Sequence, residues 1–216
     1  MVCVRRCFSH CVVALVVAAF VGGLICAGPL FAEDDVAKES IIEQIVRFIR
    51  AKNVRIHEDT LTRMAHTVYK ESRLHEMDYR LVLAVIRVES NFRNEAVSTH
   101  GARGLMQVKP SLAKYIAKDA GVSWQDNNCL SEPEKNIRLG VYHLSRLMDD
   151  FKDTAVALHA YNTGPAKLKR KPLQENGEPK NKFARRVLSE YRSNIEVLPD
   201  TDFHPAHTVR ERGRLR

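Results

Sequence analysis

The sequence LVLAVIRVESNF, Leu81–Phe92, is almost entirely apolar but carries a carboxylate where a buried stripe should continue. Wound as an α-helix of about 3.6 residues per turn, it places Glu89 on the same face as Val82 and Val85. Arg80, just before this stretch, and Arg87, within it, fall on roughly the opposite side, where we expect their charges to meet solvent. We therefore expect Glu89 to lie on the buried side of its helix.

Helical periodicity continues on both sides of this stretch, and no convincing strand alternation appears. The sequence therefore predicts an all-α fold. Asp78 is expected to cap the helix that ends near Glu89, and Pro110 to open the next one. Gly140 lies on an apolar helix face, where a glycine costs about 1 kcal/mol against alanine, so we expect close backbone packing there. The predicted helices are 36–52, 59–75, 78–89, 110–121, 132–150, 153–162 and 182–193.

The first 32 residues differ in character from the rest of the chain. Arg5 and Arg6 precede a long apolar run, and the acidic residues EDD follow it, which is the order of a secretory signal. Segment 1–32 is predicted to be a signal peptide cut after Ala32, or after Ala27, or else an uncleaved membrane anchor. Either alternative predicts a location outside the cytoplasm. The protein would be periplasmic or secreted, and anchored in the inner membrane if the leader stays.

The net charge of +8 narrows the class of partner. Basic residues cluster at 167–182 and 209–216 without interleaved aromatic residues, and this pattern argues against nucleic-acid binding. In an exported chain, a basic surface fits an anionic wall polymer or lipid headgroups. A solvated basic surface with no partner is the alternative.

Glu89 suggests a specific chemistry. A carboxyl group at the end of an apolar stripe loses hydration, which raises its pKa and suits a general acid. Cleavage of a glycosidic bond uses such an acid, because the leaving oxygen must be protonated as the bond breaks. Taken alone the signal is weak, since most glutamates near helix ends are solvated or capped.

The loop that follows, STHGARGLMQVKP at 98–110, adds groups suited to binding a sugar. Its two glycines allow backbone conformations that other residues resist. Gln107 offers an amide that donates and accepts, Ser98 a hydroxyl, and Met106 a pliable apolar surface. On these residues alone, an ordinary loop with a core methionine and an idle glutamine stays open.

Taken together, these residues resemble the soluble lytic transglycosylase family, bacterial muramidases with a goose-type lysozyme-like fold. The resemblance covers roughly 78–192, with small departures at Thr163 and Phe183. It implies a compact lysozyme-like helical domain with a substrate cleft. The matching blocks, in the family's order, are ESNF (89–92), STHGARGLMQV (98–108), NIRLGVYHL (136–144), AYNTGP (160–165) and KFARRVLSEY (182–191).

The resemblance implies a reaction on the glycan strands of peptidoglycan. Glu89 would protonate the glycosidic oxygen and then take a proton from the attacking hydroxyl. That hydroxyl would be the sugar's own, so that the product carries a 1,6-anhydro-muramyl end. The resemblance implies no cofactor, and the sequence shows no metal-ligand spacing among its histidines.

The resemblance also implies substrate-binding roles around this acid. Ser98 would bond near the substrate acetamido group or hold the loop, and Met106 and Gln107 would line the cleft. Tyr161 would point its hydroxyl at the acid, and Asn162 would brace that corner.

Two alternatives to the transglycosylase stay open. A wall hydrolase would use a second carboxylate, for which Glu95, Asp119 and Asp126 are candidates, although goose-type hydrolases usually carry an aspartate where this chain has Lys109. A catalytically idle wall-binding or secretion scaffold is the other. The role could be general wall turnover, or local opening of the wall for a secretion or other envelope apparatus.

Behind the leader we expect three parts. Residues 33–77 form N-terminal helices packed on the domain, 78–198 form the catalytic domain, and 199–216 form a basic, disordered tail. Four of the five cysteines lie in the leader, so the rest of the chain keeps only Cys129 and has no internal disulfide. The fold must then be stabilised by its core alone.

Overall fold

The computed structural model describes residues 30–52, 54–168 and 181–201. This part of the chain is helical, and its only strand-like pairings are isolated bridges of Arg103 with Val97 and Val108. The prediction of an all-α fold is confirmed. The elements are α1 Leu30–Ala51, α2 Glu58–Leu74, α3 Tyr79–Ser90, α4 Pro110–Ile116, a 3-10 helix Asn127–Ser131, α5 Pro133–Phe151, α6 Thr154–Thr163, α7 Pro165–Leu168 and α8 Lys182–Val197.

The helix boundaries differ from the predicted ones at α1, which begins at Leu30 and not at 36, at α8, which ends at Val197 and not at 193, and at α4. We predicted this helix over 110–121, but it ends at Ile116 and continues as hydrogen-bonded turns. The turns close at Gly121, whose φ of +64° suits a glycine. The 3-10 helix and α7 are too short to show a hydrophobic period, and the sequence did not predict them.

The chain divides into two compact units, Met1–Glu39 and Ser40–Arg216. The described part of the first unit is helical. Among the described residues, no helix is both long and apolar enough to cross a membrane. Most of the predicted leader 1–32 and tail 199–216, and most of the basic segment 167–182, lies outside the described residues.

Helix α3 lies at the centre of the second unit. Every side chain from Tyr79 to Ile86 is buried, so the helix is enclosed on all sides. Its main neighbour is α8, while α2 packs on α5 and α3, and α6 packs on α5 and α8. Burying each large aliphatic side chain contributes about 1.5–3 kcal/mol, so α3 supplies much of the core's stability. Its last turn, which carries Glu89, is held by this packing.

Asp78 caps α3 as predicted, and it also holds a buried polar network. Its carboxylate accepts hydrogen bonds from the Arg80 backbone amide at 2.9 Å and from the Tyr191 hydroxyl at 2.8 Å. The guanidinium of Arg80 pairs with Asp78 at 2.7 Å and with Asp200 at 2.9 Å. The expectation that Arg80 faces solvent is therefore wrong, because these carboxylates compensate the cost of burying its charge.

Gly140 confirms the prediction of close packing on α5. A Cβ atom at this position would lie 2.4 Å from the Met106 sulfur and 2.6 Å from the Met106 Cβ. The loop before α4 therefore presses directly on the backbone of α5. This contact fixes the distance between the loop and the helix bundle.

Candidate active site

Glu89 lies in the last turn of α3, immediately before the chain reverses. Asn91 and Phe92 both adopt left-handed conformations, with φ of +54° and +62°. Such a conformation is costly for a bulky residue, and the full burial of the Phe92 side chain compensates for it. The sharp turn exposes one side of Glu89 and directs the following loop across it.

Two cavities meet at Glu89, each of about 560 Å³. The first lies under the loop that follows α3, and the second lies between the end of α3 and α8. Glu89 and Arg93 line both. The first cavity is also lined by Arg55, Glu95, Ser98 and Gln107. The second is also lined by Arg87, Arg186, Ser189 and Glu190.

The pKa of the Glu89 carboxyl group lies close to neutral pH. Burial raises its pKa to about 7, and the nearby positive charge of Arg186 opposes that rise. Desolvation is the larger effect because the side chain sits at the end of the apolar stripe of α3. The group is therefore able both to donate and to accept a proton near pH 7.

Tyr161 packs beside this acid, and its hydroxyl bonds to a neighbouring backbone carbonyl. Its hydroxyl donates to the backbone carbonyl of Met106 at 2.8 Å, and not to Glu89. Burial, and after it the charge of Glu89, raises the pKa of Tyr161 well above its ordinary value. The phenol therefore stays protonated and close to Glu89. Its ring stacks on Phe183, the residue that departs from the family pattern, with centroids 6.4 Å apart.

His143 is a neighbour of the site to which we had assigned no role. Its ring lies 5.3 Å from that of Tyr161, and burial lowers its pKa to about 4. The imidazole is therefore neutral at physiological pH and adds no charge beside Glu89. The sequence signal was its place in the block 136–144, on the same helix as Gly140.

Ser98 and Gln107 line the first cavity and hold the loop in shape. The Ser98 hydroxyl accepts a hydrogen bond from the Ala102 amide at 3.0 Å. The Gln107 amide nitrogen donates to the carbonyls of Ala96 at 3.1 Å and Gly104 at 3.0 Å. For Ser98 this geometry matches the loop-holding alternative. The nitrogen of Gln107 is engaged by the loop itself.

The Met106 side chain lies elsewhere than we expected, and Asn162 lies at the surface. The Met106 side chain is fully buried against α5, so it does not line the cleft as we had predicted. Only its backbone carbonyl reaches the site, through Tyr161. Asn162 is exposed in the last turn of α6, and its role in bracing this corner stays a prediction. Burying the apolar side chain of Met106 in the core is more favourable in free energy than placing it on the solvent-exposed wall of a cleft.

Asn136 organises the loop, and the sequence had indicated it only as part of a matching block. Its side chain is fully buried and makes three hydrogen bonds to backbone groups. Its oxygen accepts from the Met106 amide at 2.8 Å, and its nitrogen donates to the carbonyls of Arg103 and Leu130, each at 2.9 Å. Gly104 lies against this amide. Asn136 thereby positions the segment that contacts Tyr161.

A second carboxylate is present in the first cavity. Of the three candidates from the sequence, Glu95 lines this cavity together with Glu89, whereas Asp119 and Asp126 do not. Within the described ranges, no group of three or more metal-binding side chains is arranged to hold a metal ion.

The sequence model of the transglycosylase SLT domain family matches residues 67–184, more than half of the chain. This chain belongs to the transglycosylase SLT domain family. The resemblance noted from the motifs is thereby confirmed, and the matched region begins earlier than 78, within α2, and ends at residue 184.

Several relatives of this chain are named lytic murein transglycosylases. The soluble lytic murein transglycosylase of Salmonella typhimurium is 33% identical over 89 residues, which are 40% of this chain and 14% of that protein. Membrane-bound lytic murein transglycosylase C of Haemophilus ducreyi is 32% identical over 130 residues, 55% of this chain and 35% of that one. The chain therefore spans only a minor part of these relatives.

A solved structure supports the fold. An inactive mutant of lytic transglycosylase Slt from Pseudomonas aeruginosa superposes with a TM-score of 0.54 and 26% identity. The match covers 64% of this chain and 25% of that one. The lysozyme-like helical fold expected from the motifs is confirmed.

Proposed function

We propose that this protein is a peptidoglycan lytic transglycosylase, a lyase that cleaves the β-1,4 bond between N-acetylmuramic acid and N-acetylglucosamine without water. The observation that carries the proposal is Glu89, a carboxyl group with its pKa raised to about 7 where two cavities meet. An acid that is about half protonated at pH 7 can donate its proton to a glycosidic oxygen. Membership of the SLT family and the names of the relatives support the proposal.

The reaction uses Glu89 twice. In the first step the bond between C1 of the muramyl sugar and the glycosidic oxygen breaks, and that oxygen takes the proton of Glu89. The acetamido group of the same sugar stabilises the positive charge that develops. In the second step the 6-hydroxyl bonds to C1 and returns its proton to the Glu89 carboxylate. No water is consumed, and the enzyme ends in its starting state.

An intramolecular hydroxyl competes well with water in such a site. Well-oriented intramolecular groups have effective concentrations of about 10⁵–10⁸ M, which exceeds the concentration of water by orders of magnitude. The surrounding residues favour this outcome by holding the site in shape. Ser98 and Gln107 fix the loop over the first cavity, and Tyr161 holds the carbonyl of Met106 beside the acid.

The masses of the products test the proposal. When purified peptidoglycan is digested and its fragments are weighed, we expect muramyl ends in the 1,6-anhydro form, lighter by one water than reducing ends. Control digests with a known hydrolytic muramidase should give the heavier form. Reducing ends from this protein would contradict the proposal.

A hydrolytic muramidase is the second candidate, and Glu95 is the observation that favours it. This carboxylate lines the same cavity as Glu89. Inverting hydrolases hold a water between two carboxyl groups roughly 6.5–9.5 Å apart, and retaining ones use a pair about 5–5.5 Å apart. If Glu95 served such a role, the fragment masses would show reducing ends.

Location and wider role are also part of the proposal. The apolar leader supports export to the periplasm or beyond, with the leader cut or kept as an inner-membrane anchor. Relatives named soluble and relatives named membrane-bound both occur. The substrate would be the glycan strands of the wall, opened for general turnover or locally for a secretion or other envelope apparatus.

The rate should depend on pH through Glu89. Because the first step needs the protonated acid, kcat/KM should fall above a midpoint of about pH 7, the pKa of that group. Each further pH unit should lower the rate about tenfold, since the protonated fraction falls by that factor. Initial rates on soluble muropeptide oligomers from pH 5 to 9 check this. An alkaline limb centred near the ordinary glutamate pKa of 4.5 would contradict it.

A further inference from the structure

Tyr115, on α4, is the most exposed large hydrophobic side chain in the described part of the chain, with an exposed fraction of 84%. Lys109, Lys114 and Lys118 are exposed around it on the same segment. We call Tyr115 and these three lysines the α4 face. The α4 face has no part in the proposed bond cleavage, because none of its residues lines either cavity at Glu89.

The α4 face is continuous because the chain stays helical beyond the last residue of α4. The backbone at Ala117 keeps a right-handed helical conformation. Side chains three or four residues apart on a helix lie side by side, so Lys114, Tyr115 and Lys118 share one side. The buried residues of this segment lie on the opposite side: Ala113, Ile116 and Ala117.

The positive charge of the α4 face is not neutralised by neighbouring side chains. Lys114 and Lys118 are four residues apart, a spacing at which like charges destabilise a helix. Within the described ranges, neither of these lysines nor Lys109 forms an ion pair. The three lysines and the one carboxylate of segment 109–119, Asp119, leave a net charge of +2. The α4 face therefore attracts anions.

We propose that the α4 face binds the headgroups of anionic phospholipids and thereby holds the domain against a membrane surface. The inference goes beyond the proposed function and does not depend on it. Lysine side chains are attracted by the negative surface potential of an anionic bilayer, and tyrosine is enriched at the boundary between bilayer and water. An exposed phenol ring among three lysines combines both preferences.

The shape of the α4 face also fits a bilayer. Its side chains project from the outside of a helix, and such a convex surface contacts a flat layer of headgroups along its length. A ligand that needs contacts on several sides is bound in a cleft. The sequence gives a reason for a membrane to be near, because the apolar run that follows Arg6 is typical of a segment that engages one.

The binding of the α4 face is expected to be weak by itself. Each lysine near an anionic surface strengthens binding about fivefold, so the three together contribute roughly 100-fold. A leader that stayed in the bilayer would raise the effective concentration of the domain at the surface, so that even this contact would orient it.

The test measures how the full chain partitions onto large lipid vesicles by co-sedimentation. One kind of vesicle is pure phosphatidylcholine, and the other also contains phosphatidylglycerol. The leader acts on both, so the measured quantity is the ratio of the two partition coefficients. The double variant Lys114→Gln with Lys118→Gln should lower this ratio about tenfold or more. Tyr115→Ser should lower the partition onto anionic vesicles about threefold, because the ring no longer enters the boundary layer.

The matched control is the double variant Lys70→Gln with Arg192→Gln. It removes the same charge from exposed positions on α2 and α8, away from the α4 face. We expect it to keep the wild-type ratio. Added salt should reduce the wild-type ratio towards that of the α4 double variant, because salt screens the attraction between exposed charges.

The inference is wrong if the α4 double variant keeps the wild-type ratio, or if the control lowers the ratio equally. Sedimentation with purified, lipid-free peptidoglycan distinguishes the other anionic ligand. If the α4 double variant lost binding to this polymer and kept its partition onto anionic vesicles, the α4 face would be a wall-binding surface, and the membrane inference would be overturned. Loss of vesicle binding alone would support it, whether or not the protein cleaves glycan.

Discussion

Glu89→Gln should lower the rate of glycan cleavage by about 10³-fold while leaving the fold intact. Glutamine matches glutamate in size but has no proton to donate to a leaving oxygen, and general acid–base catalysis contributes roughly 10²–10⁴-fold. Initial rates on soluble muropeptide oligomers at about pH 6, where the wild-type acid is protonated, measure the effect. Unchanged digestion would show that Glu89 does no chemistry, and would leave the idle wall-binding scaffold as the better description.

The matched control for this change is Glu95→Gln in the same cavity. For a one-carboxylate transglycosylase we expect it to change kcat by less than about tenfold. A loss as large as that of Glu89→Gln would indicate two carboxylates at work and favour the hydrolase. The pair of variants therefore separates the two mechanisms independently of the product masses.

The Glu89→Gln variant should be less active than the wild type but more stable to unfolding. Because folding raises the pKa of Glu89 from 4.5 to about 7, its ionised form destabilises the folded state. Relative to Glu89→Gln, the wild type should lose stability as the pH rises from about 4.5 to about 7, with a constant difference above that. Allowing for partial exposure, the difference at about pH 8 should be about 2 kcal/mol in favour of the variant. Urea unfolding at several pH values measures it, and lower stability of the variant would mean that its inactivity reports misfolding.

Gly104→Ala should cause the second large effect, a loss of about 3 kcal/mol or more of unfolding free energy together with most of the activity. A Cβ at this position would lie 2.2 Å from both the Asn136 amide nitrogen and the Leu130 carbonyl oxygen. Neither atom can retreat cheaply, because one belongs to a buried hydrogen-bonded side chain and the other to backbone. Moving Asn136 would also release the Met106 amide and disturb the loop beside Glu89. Urea unfolding and initial rates check both effects.

Gly101→Ala is the control that isolates the backbone contribution. Gly101 has a φ of +76°, close to the +77° of Gly104, but a Cβ there would meet nothing within 4 Å. We expect a cost of about 1 kcal/mol from the left-handed backbone and nearly full activity. Equal losses in the two variants would show that the contact with Asn136 is unimportant.

Some features of the site could be predicted from the sequence because they depend on local pattern. The period of α3 placed Glu89 at the end of a buried face, and the confirmed cap at Asp78 depends on residues only two positions apart. Gly140 signalled close packing because a glycine in mid-helix is costly without a reason. The loop at 98–110 was identified by its glycines and small polar residues.

Other features depended on contacts between distant parts of the chain. The burial of Arg80 depends on Asp200, which is far away in sequence, and the buried position of Met106 depends on Gly140 across the core. The hydroxyl of Tyr161 donates to a backbone carbonyl, and no residue pattern marks such an acceptor.

By itself the sequence determined that the described part of the chain is helical, and that one glutamate ends the apolar stripe of α3. These follow from helical period and local capping, which act over a few residues. Only the tertiary structure decided that the pKa of Glu89 rises to about 7, that Glu95 shares its cavity, and that three arginines meet on its other side. Desolvation and charge depend on which atoms surround a group in space, and helices far apart in sequence supply those atoms.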